Sequence, residues 1–537
     1  MLLILAVLIL LGISLRLYDL TDQPIDFHPT RQLRGAIVAR GMYYEMSAST
    51  NETDRQQAKA FWSSTGQYEP SILERLVAIT YLWIGKEIFW LVRIYNTIFW
   101  IMGGLILFDL ARRMTSSLDS VNEDDLNRKV SFFSALLATA YFLVLPFSVQ
   151  ASRSFQPDPS MVVWIVLSSY SVYRWSEKVF NISYGHNKNP VSIQNRDTWI
   201  WAILTGLFSG LAILTKAVAF YTVAITTLTM VLCAFGAFRS KPFLSPIFRI
   251  LRTPQIWSMF LLMITPTAVY YLSRGGRVSE YFSSWTLALS HLILEPNTYS
   301  RWLNLIQDLM TWTALLMALL GIYLAKRHNR ALLLGLWLGY LAYGLFLPYQ
   351  MYTHSYYHLQ LVFLIALSIS PVFQWILGWL LRKDKVWQIL FAGFTLIVLM
   401  YYCWQALIPL YSQDYRNEPA YWQEIASHLP TDGKVIALTQ DYGYRLMYYG
   451  WRKVSLWPNR GEINLSNLRD SSKDFQEYFA KRTNGKSYFL VTAFRQFEDQ
   501  PILKQTLFHE FSISAEGPGY ILFNLTKPNA DNSRSLP

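Results

Sequence analysis

Four side chains that can take part in acid, base or phosphate chemistry lie close together near the start of the chain. Asp26, His28, Arg31 and Arg34 follow a first apolar segment directly. Charged groups beside a membrane segment are costly unless they are paired or used. A carboxylate beside fixed cations stays ionised and can act as a general base or a metal ligand. The alternative is a loop acid that caps a helix or forms a salt bridge.

Arginine, aspartate and lysine recur between later apolar segments. Arg153 and Asp158 are five residues apart, and arginine suits bidentate binding of phosphate. In the alternative interpretation, the neighbouring prolines only break the chain and Asp158 caps the next helix. Lys216 stands alone between two apolar segments. It can neutralise a phosphate, but a lysine in this position more often extends to the membrane interface.

Two histidines, His354 and His358, are spaced to share one face of a helix. This spacing can bind zinc, so the pair is a candidate ligand set for a divalent metal ion. A metal site needs a third ligand and supporting groups, and the local sequence offers neither. An aromatic belt at the membrane interface is the alternative explanation for the tyrosines around these histidines.

The composition indicates which elements must position these residues. The chain has 537 residues, 53% hydrophobic and only 15% charged, with a mean hydropathy of +0.21. This balance is typical of a polytopic membrane protein. The net charge of +12 does not indicate nucleic-acid binding, because the basic residues cluster in loops beside apolar segments. Cys233 and Cys403 lie in apolar runs, so neither a disulfide framework nor a cysteine metal site is expected.

About eleven apolar segments are long enough, or nearly so, to cross a bilayer. The first, Met1 to Leu17, has no basic n-region and no small-residue cleavage site, so we expect an uncleaved span and not a signal peptide. The others are expected at about 88–110 and 130–149, in a segment ending near 174, at 198–214, 217–235 and 256–272, in segments ending near 326 and 348, between 358 and 382, and at 386–407.

Basic residues are concentrated in the loops on one side of these segments. The positive-inside bias assigns those loops to the cytoplasm. The first outer loop, at about 19–87, and the residues after 407 are then expected outside. These observations predict a multi-pass protein of the plasma (inner) membrane.

The composition changes after Leu407, where no further span follows. Runs typical of strands occur at 434–439, 487–492 and 520–525, with helical runs such as 419–428 between them. We therefore expect an all-α transmembrane domain over 1–407, followed by a small extracytoplasmic α/β domain over 408–537.

Taken together, the chain resembles the polytopic GT-C glycosyltransferases. The similarity is to bacterial relatives of the dolichyl-phosphate-mannose protein O-mannosyltransferases and of the aminoarabinose transferase that modifies lipid A. It rests on five stretches in this order: Asp26 with Thr30 to Gln32, Glu69-Pro70, Arg153 to Asp158, Gly210 to Lys216, and His354 to Tyr357.

The resemblance implies transfer of a sugar from a polyprenyl-phosphate carrier to an acceptor on the outer face of the membrane. Asp26 would act as the base on the acceptor hydroxyl, and Asp158 would orient the acceptor or the cations. The phosphate-binding candidates are Arg31, Arg34, Arg153, Lys216 and Arg274, and the substrate-cavity candidates are His28, Glu69, His354, Tyr356 and Tyr357. The partners implied are the lipid-linked sugar donor, a lipid, protein or glycan acceptor, and membrane lipid.

Departures from the family pattern leave alternatives open. Many family members have paired acids in the first loop, whereas His28 stands two residues after Asp26. A lipid or glycolipid transporter without transferase activity would use similar spans and outer charges. A transporter, however, should carry ionisable or broken helices near the bilayer midplane and often internal repeats. A scaffold that binds a partner through its C-terminal domain is a third interpretation.

Overall fold

The computed structural model of the chain describes residues 1–66, 69–116, 125–184, 195–238, 244–273, 283–430, 434–469 and 474–529. The chain forms two compact units. The membrane unit consists of Met1–Leu20, Gln67–Ile72 and Leu91–Gln413, and the sheet unit consists of Thr21–Gly66, Leu73–Trp90 and Asp414–Pro537. Most of the first outer loop thus belongs to the unit that contains the C-terminal segment. The domain division at residue 407 stays a prediction.

Apolar helices make up most of the membrane unit. Its α-helices are Leu2–Leu17, Leu91–Thr115, Asp125–Val144, Pro146–Arg153, Asp158–Tyr184, Arg196–Thr215, Ala219–Ala234, Leu244–Leu251, Pro254–Leu272, Pro296–Met310, Trp312–Leu324, Arg327–Phe346, Pro348–Thr353, Leu359–Leu380 and Lys385–Ser412. Three single turns, Ser283–Leu287, Ser290–Leu294 and Ser355–His358, complete the described elements. Helices satisfy all their backbone polar groups internally, which the hydrocarbon core of a bilayer requires.

Five of the described helices are long and apolar enough to cross a membrane, or seven if each of two bent pairs counts as one span. The chain is therefore a multi-pass membrane protein with a mostly helical membrane unit, as predicted. The count of eleven spans stays a prediction. In Lys385–Ser412, none of the most apolar window is buried within the protein, which is expected of a helix that lipid solvates.

One of the two bent helix pairs ends at Arg153, a candidate phosphate ligand. The helix Asp125–Val144 turns by 59° into Pro146–Arg153. Pro146 is the first residue of the second helix, where its missing N–H group has no intrahelical acceptor to lose. The span predicted at about 130–149 is therefore followed by further helix, because the chain stays helical to Arg153. Only residues 154–157 join this helix to the next.

Two glycines bring a second helix into close contact with its neighbour. A Cβ atom at Gly206 would lie 2.8 Å from the carbonyl oxygen of Met259, and one at Gly210 would collide with the carbonyl oxygen of Leu262. Larger side chains would force apart the helices Arg196–Thr215 and Pro254–Leu272, because a packed interior has little free space. The close contact fixes the end of the helix Arg196–Thr215, immediately before Lys216.

The sheet unit combines short helices with one mixed sheet. Its α-helices are Pro29–Met46, Glu52–Ser64, Ile72–Ile84, Glu418–Ser427, Tyr444–Tyr449, Arg460–Leu468, Phe475–Thr483, Phe494–Glu498 and Pro501–Glu510, with a 3₁₀ turn at Gln440–Gly443. The strands are β1 (Val435–Leu438), β2 (Ser455–Leu456), β3 (Tyr488–Val491), β4 (Phe511–Gly517) and β5 (Tyr520–Pro528).

The strand order is β2-β1-β3-β5-β4. β1 pairs in parallel with β2 and β3, whereas β5 is antiparallel to both β3 and β4. Every residue of β1 is buried, as expected of an interior parallel strand. Trp457, Phe489 and Phe523 belong to the apolar core beside the sheet. The strands predicted near 434–439, 487–492 and 520–525 are confirmed as β1, β3 and β5, and the predicted small C-terminal sheet is confirmed with them.

Candidate active site

A buried ion pair lies in the membrane unit. Lys216 Nζ is 2.7 Å from Asp158 Oδ1, and the two side chains are 5% and 1% exposed. Asp158 is the first residue of the helix Asp158–Tyr184, and Lys216 directly follows Arg196–Thr215. The second carboxylate oxygen, Oδ2, is buried and has no hydrogen-bond donor within the described part of the chain. The carboxylate can therefore accept from one more donor.

Two tyrosine rings cover the Lys216 ammonium. Its Nζ atom lies 4.2 Å from the ring centroid of Tyr357 and 4.9 Å from that of Tyr356. A desolvated cation–π contact is worth about 2 kcal/mol. Both rings come from the turn Ser355–His358. The alternative in which Lys216 extends to the membrane interface is therefore wrong, because its buried ammonium faces a carboxylate and two rings.

Three arginines meet the end of the first helix. Arg153 Nη2 donates to the carbonyl oxygen of Asp19 at 3.1 Å, and Arg93 Nη1 reaches the same oxygen at 3.4 Å. Arg16 Nε donates to the hydroxyl of Ser152 at 2.7 Å, one residue before Arg153. All three arginine side chains are essentially buried. Helix ends from distant parts of the sequence thus bring three guanidinium groups together.

The described part of the membrane unit contains four buried cations and one buried carboxylate. The cations are Arg16, Arg93, Arg153 and Lys216, and the carboxylate is Asp158. Guanidinium and ammonium groups both bind phosphate oxygens, so this group of cations suits a phosphate. The sequence interpretation missed Arg16 and Arg93. The signal for Arg16 was that it is the single charged residue of an otherwise apolar helix, and the signal for Arg93 was an arginine at the start of an apolar run.

The two histidines proposed as metal ligands flank Tyr356 and Tyr357 in the sequence but differ in surroundings. His358 is buried, with Nδ1 2.7 Å from the Tyr340 hydroxyl and Nε2 2.8 Å from the Met351 carbonyl oxygen. Both ring nitrogens therefore have protein partners, which leaves neither to bind a metal. His354 Nδ1 lies 2.7 Å from the Thr353 hydroxyl. No group of three possible ligands occurs in the described ranges.

In the sheet unit, Asp26 precedes the helix Pro29–Met46. Gln32 Nε2 donates to Asp26 Oδ1 at 2.9 Å and to the carbonyl oxygen of Phe27 at 2.7 Å. Gln32 is fully buried, so it fixes the carboxylate from within the unit. His28 caps the helix with a left-handed backbone, at φ 45°, which few non-glycine residues adopt. This turn carries the chain from Asp26 into the helix.

The two arginines of this loop have different surroundings. Arg34 is buried, and its Nε and Nη2 groups both donate to the carbonyl oxygen of Gly66. Its guanidinium thus binds the chain just after the helix Glu52–Ser64, a role in folding that the sequence did not suggest. Arg31, one helical turn earlier, is partly exposed. Of the two, Arg31 is better suited to meet a ligand.

Residues far along the sequence hold the Asp26 loop within the sheet unit. The Thr30 hydroxyl donates to Asp441 Oδ1 at 3.0 Å, and the backbone N–H of Tyr415 donates to Asp22 Oδ1 at 3.0 Å. Asp441 has a left-handed backbone, at φ 50°, and Arg445 pairs with its carboxylate at 2.5 Å. These partners were not predicted, because their sequence separation from the loop is large.

The predicted site residues divide between the two units. Asp26, His28, Arg31 and Arg34 belong to the sheet unit, whereas Glu69, Arg153, Asp158, Lys216, His354, Tyr356 and Tyr357 belong to the membrane unit. Arg274 lies outside the described residues. The structure therefore brings Asp158, Lys216, Tyr356 and Tyr357 together, with Arg153 close to Asp158 in the chain.

A second ion pair stabilises the sheet unit. Arg40 donates from Nε and Nη2 to the two carboxylate oxygens of Glu87, at 2.9 and 3.1 Å. Its guanidinium carbon lies 3.8 Å from the ring centroid of Tyr448, whose hydroxyl donates to Glu87 at 2.5 Å. Tyr448 is buried. The Tyr448 ring therefore packs within the unit against Arg40.

An Arg40→Leu variant is expected to lower the free energy of unfolding by roughly 3 kcal/mol, since it leaves the Glu87 carboxylate without its cation at a largely buried position. Chemical denaturation of the full chain in detergent measures this. Lys59→Ala is the control, because Lys59 pairs with Glu45 at an exposed position. The control should cost less than about 1 kcal/mol. Equal losses in the two variants would contradict a special role for the Arg40 pair.

Stability should fall with pH above 10. Burial, reinforced by the negative charge of Glu87, raises the pKa of Tyr448 well above its usual value. The unfolded chain loses this proton near pH 10 while the folded chain keeps it, so the stability is full below pH 10 and declines above it. In a Tyr448→Phe variant the decline should be less steep, by roughly 1.4 kcal/mol per pH unit. Denaturation series between pH 9 and 11.5 measure both slopes, and identical slopes would refute the assignment.

Comparisons with known proteins point to one group. Residues 126–251 match the profile of the dolichyl-phosphate-mannose-protein mannosyltransferase family. This region contains Arg153, Asp158 and Lys216. No curated protein sequence matches the chain.

Solved structures match over nearly the whole chain. ArnT from Cupriavidus metallidurans bound to undecaprenyl phosphate is similar with a TM-score of 0.53 and 14% identity, over 97% of each chain. Its apo state gives 0.51 and 12%, again over 97% of each chain. The oligosaccharyltransferase of Archaeoglobus fulgidus in its apo form gives 0.51 and 12%, over 95% of this chain and 73% of that one. The resemblance predicted from the sequence is confirmed: the chain has the fold of the GT-C glycosyltransferases.

Proposed function

We propose that this protein is an integral-membrane glycosyltransferase that moves a hexose or pentose from a polyprenyl-phosphate carrier to an acceptor hydroxyl on the extracytoplasmic face. The observation that carries this proposal is the buried cation cluster of the membrane unit, with four cations and one carboxylate. A lipid phosphate carries the negative charge that these cations attract, and its prenyl tail is soluble in the bilayer around the helices. The ArnT structure with undecaprenyl phosphate supports this class of donor.

The phosphate is proposed to bind at Lys216 and Arg153. A buried ammonium and a guanidinium stabilise the negative charge that develops on the leaving phosphate, and a water-poor site strengthens this effect. Asp158 orients Lys216 through their 2.7 Å contact, and the rings of Tyr356 and Tyr357 exclude water from the ammonium. Arg31 and Arg274 stay candidates for the same phosphate.

Asp26 is proposed as the general base. The acceptor hydroxyl gives its proton to the carboxylate while its oxygen forms a bond to the anomeric carbon of the sugar. The bond between that carbon and the phosphate oxygen breaks, and the polyprenyl phosphate leaves with the electron pair. Gln32 orients the carboxylate by donating to Oδ1 at 2.9 Å. His28, Glu69 and His354 are proposed to line the substrate cavity, and the acceptor is a lipid, a protein or a glycan.

A transfer assay tests the function. The full chain in nanodiscs would be given undecaprenyl phosphate carrying radiolabelled mannose or arabinose, with membranes of a strain lacking the protein as the acceptor source. The proposal expects label in the lipid, protein or glycan fraction and release of undecaprenyl phosphate. Movement of fluorescent undecaprenyl phosphate between leaflets without any transfer would favour the transporter instead.

A further inference from the structure

Gln156 carries a buried side-chain amide in the membrane unit. The residue is 2% exposed. Neither Oε1 nor Nε2 has a hydrogen-bond partner within the described part of the chain. A buried amide without partners is costly, because it has lost its water and gained nothing in return. Gln156 lies two residues before Asp158, in the short link between two membrane helices.

Two further oxygen atoms near the same link are also buried without a hydrogen-bond donor among the described residues. Asn96 Nδ2 donates to the carbonyl oxygen of Ser154 at 2.6 Å, and the backbone N–H of Gln156 donates to that oxygen at 2.8 Å. Asn96 and Gln156 therefore meet at one carbonyl group. Asn96 Oδ1 and Asp158 Oδ2 are also buried without a donor among the described residues. Asn96, Gln156 and Asp158 thus present three acceptor oxygens and one amide donor group around this link.

The lipid-linked sugar has a phosphate and a sugar ring. The buried cations suit the phosphate, whereas these acceptor oxygens and the Gln156 amide suit the sugar. Phosphate oxygens only accept hydrogen bonds, so they suit Lys216 and Arg153 but would repel the acceptors of Asn96 and Asp158. Sugar hydroxyl groups both donate and accept. They match the acceptor oxygens, and the Gln156 amide can donate to one hydroxyl while accepting from another.

We propose that Asn96, Gln156 and the free oxygen of Asp158 form the subsite for the sugar hydroxyl groups of the donor, with Gln156 as its specificity residue. This inference rests on the proposed function, since it assigns the sugar of the same lipid-linked donor. The subsite makes the protein prefer a sugar-loaded carrier over a bare one. Loss of one neutral hydrogen-bonding partner changes such a preference by about tenfold, which corresponds to about 1.4 kcal/mol.

Binding measurements on the full chain in nanodiscs test the subsite. The probes are undecaprenyl phosphate alone, its mannose conjugate and its arabinose conjugate. The wild-type chain should bind at least one conjugate about tenfold more tightly than the bare carrier. Gln156→Ala should remove this preference and leave the affinity for the bare carrier unchanged. Because the variant removes unpaired buried atoms, its unfolding midpoint should stay equal or rise.

Gln255→Ala is the matched control, as Gln255 is an equally buried glutamine whose amide bonds to Trp175 and Thr198. The control should lower the unfolding midpoint and keep the preference for the conjugate. A Gln156→Ala variant that keeps the preference for the conjugate overturns the subsite. A lower unfolding midpoint of this variant without a change in preference also overturns it, because an amide bonded only to enclosed water would give that result. Equal wild-type affinity for all three probes also overturns it. Failure of the wild-type chain to bind bare undecaprenyl phosphate refutes the proposed function itself.

Discussion

A Lys216→Met variant is expected to bind undecaprenyl phosphate about a hundredfold more weakly than the wild-type chain and to lose transfer activity. A charge-assisted contact to a buried ammonium contributes roughly 1.5–3 kcal/mol, and a hundredfold corresponds to about 2.7 kcal/mol. The substitution also leaves the Asp158 carboxylate, 1% exposed, without its cation. That carboxylate would then repel the phosphate. Fluorescence titration with undecaprenyl phosphate in nanodiscs measures the affinity.

Loss of binding through misfolding must be separated from loss of the charge. Breaking a buried ion pair on one side typically costs 3–5 kcal/mol in stability, so Lys216→Met alone should also lower the unfolding midpoint. The double variant Asp158→Asn with Lys216→Met removes both charges and should recover most of the stability but not the binding. Lys178→Met, at a more exposed pair with Asp197, should change neither. A double variant that binds the carrier normally would exclude Lys216 from the phosphate site.

An Asp26→Asn variant should transfer sugar roughly 10²–10⁴ times more slowly than the wild-type chain, which is the usual contribution of a general base. The carboxamide has nearly the same shape and can still accept the hydrogen bond from Gln32, so folding should be retained. The affinity for undecaprenyl phosphate should not fall, because the base acts on the acceptor hydroxyl. Single-turnover transfer from the mannose or arabinose conjugate of undecaprenyl phosphate measures the rate.

Glu45→Gln supplies the comparison, since Glu45 is an exposed carboxylate on the helix that follows Asp26 and pairs only at the surface with Lys59. Its transfer rate should equal that of the wild-type chain. An Asp26→Asn variant with an unchanged transfer rate would remove Asp26 from the mechanism. A variant with normal carrier binding and an intact unfolding transition, but without transfer, would support the assignment of the base.

The positions of most elements could be predicted from the sequence, because apolar runs and strand-like runs carry their periodicity locally. The helix Leu359–Leu380 and strand β3 lie where their residues predicted them. The helix Pro146–Arg153 was missed, since Pro146 interrupts an apolar run without ending helical structure. Strand β2 was missed because it has only two residues and is held by its pairing with β1.

Side-chain partners were harder to predict than elements. Lys216 between two apolar segments is more often interfacial, and only the distant Asp158 and the tyrosines of the turn Ser355–His358 show that it is buried. Arg34 looked like a phosphate ligand by its spacing from Arg31, yet it binds the carbonyl oxygen of Gly66. The phosphate roles of Lys216 and Arg34 stay predictions. Their partners could not be read from the sequence, because a charged residue takes its surroundings from groups far away in the chain.

The sequence by itself determined that this chain lies in a membrane, that its C-terminal part forms a small sheet, and that its order of charged motifs resembles the GT-C glycosyltransferases. These properties depend on local hydropathy and on motif order. Only the tertiary structure decided that Lys216 pairs with Asp158 beneath two tyrosine rings, that Arg16 and Arg93 join Arg153, and that Gln156 is buried without a partner among the described residues. Burial and pairing are properties of groups far apart in sequence, and the cost of an unbalanced charge or an unpaired amide arises only when packing removes water from it.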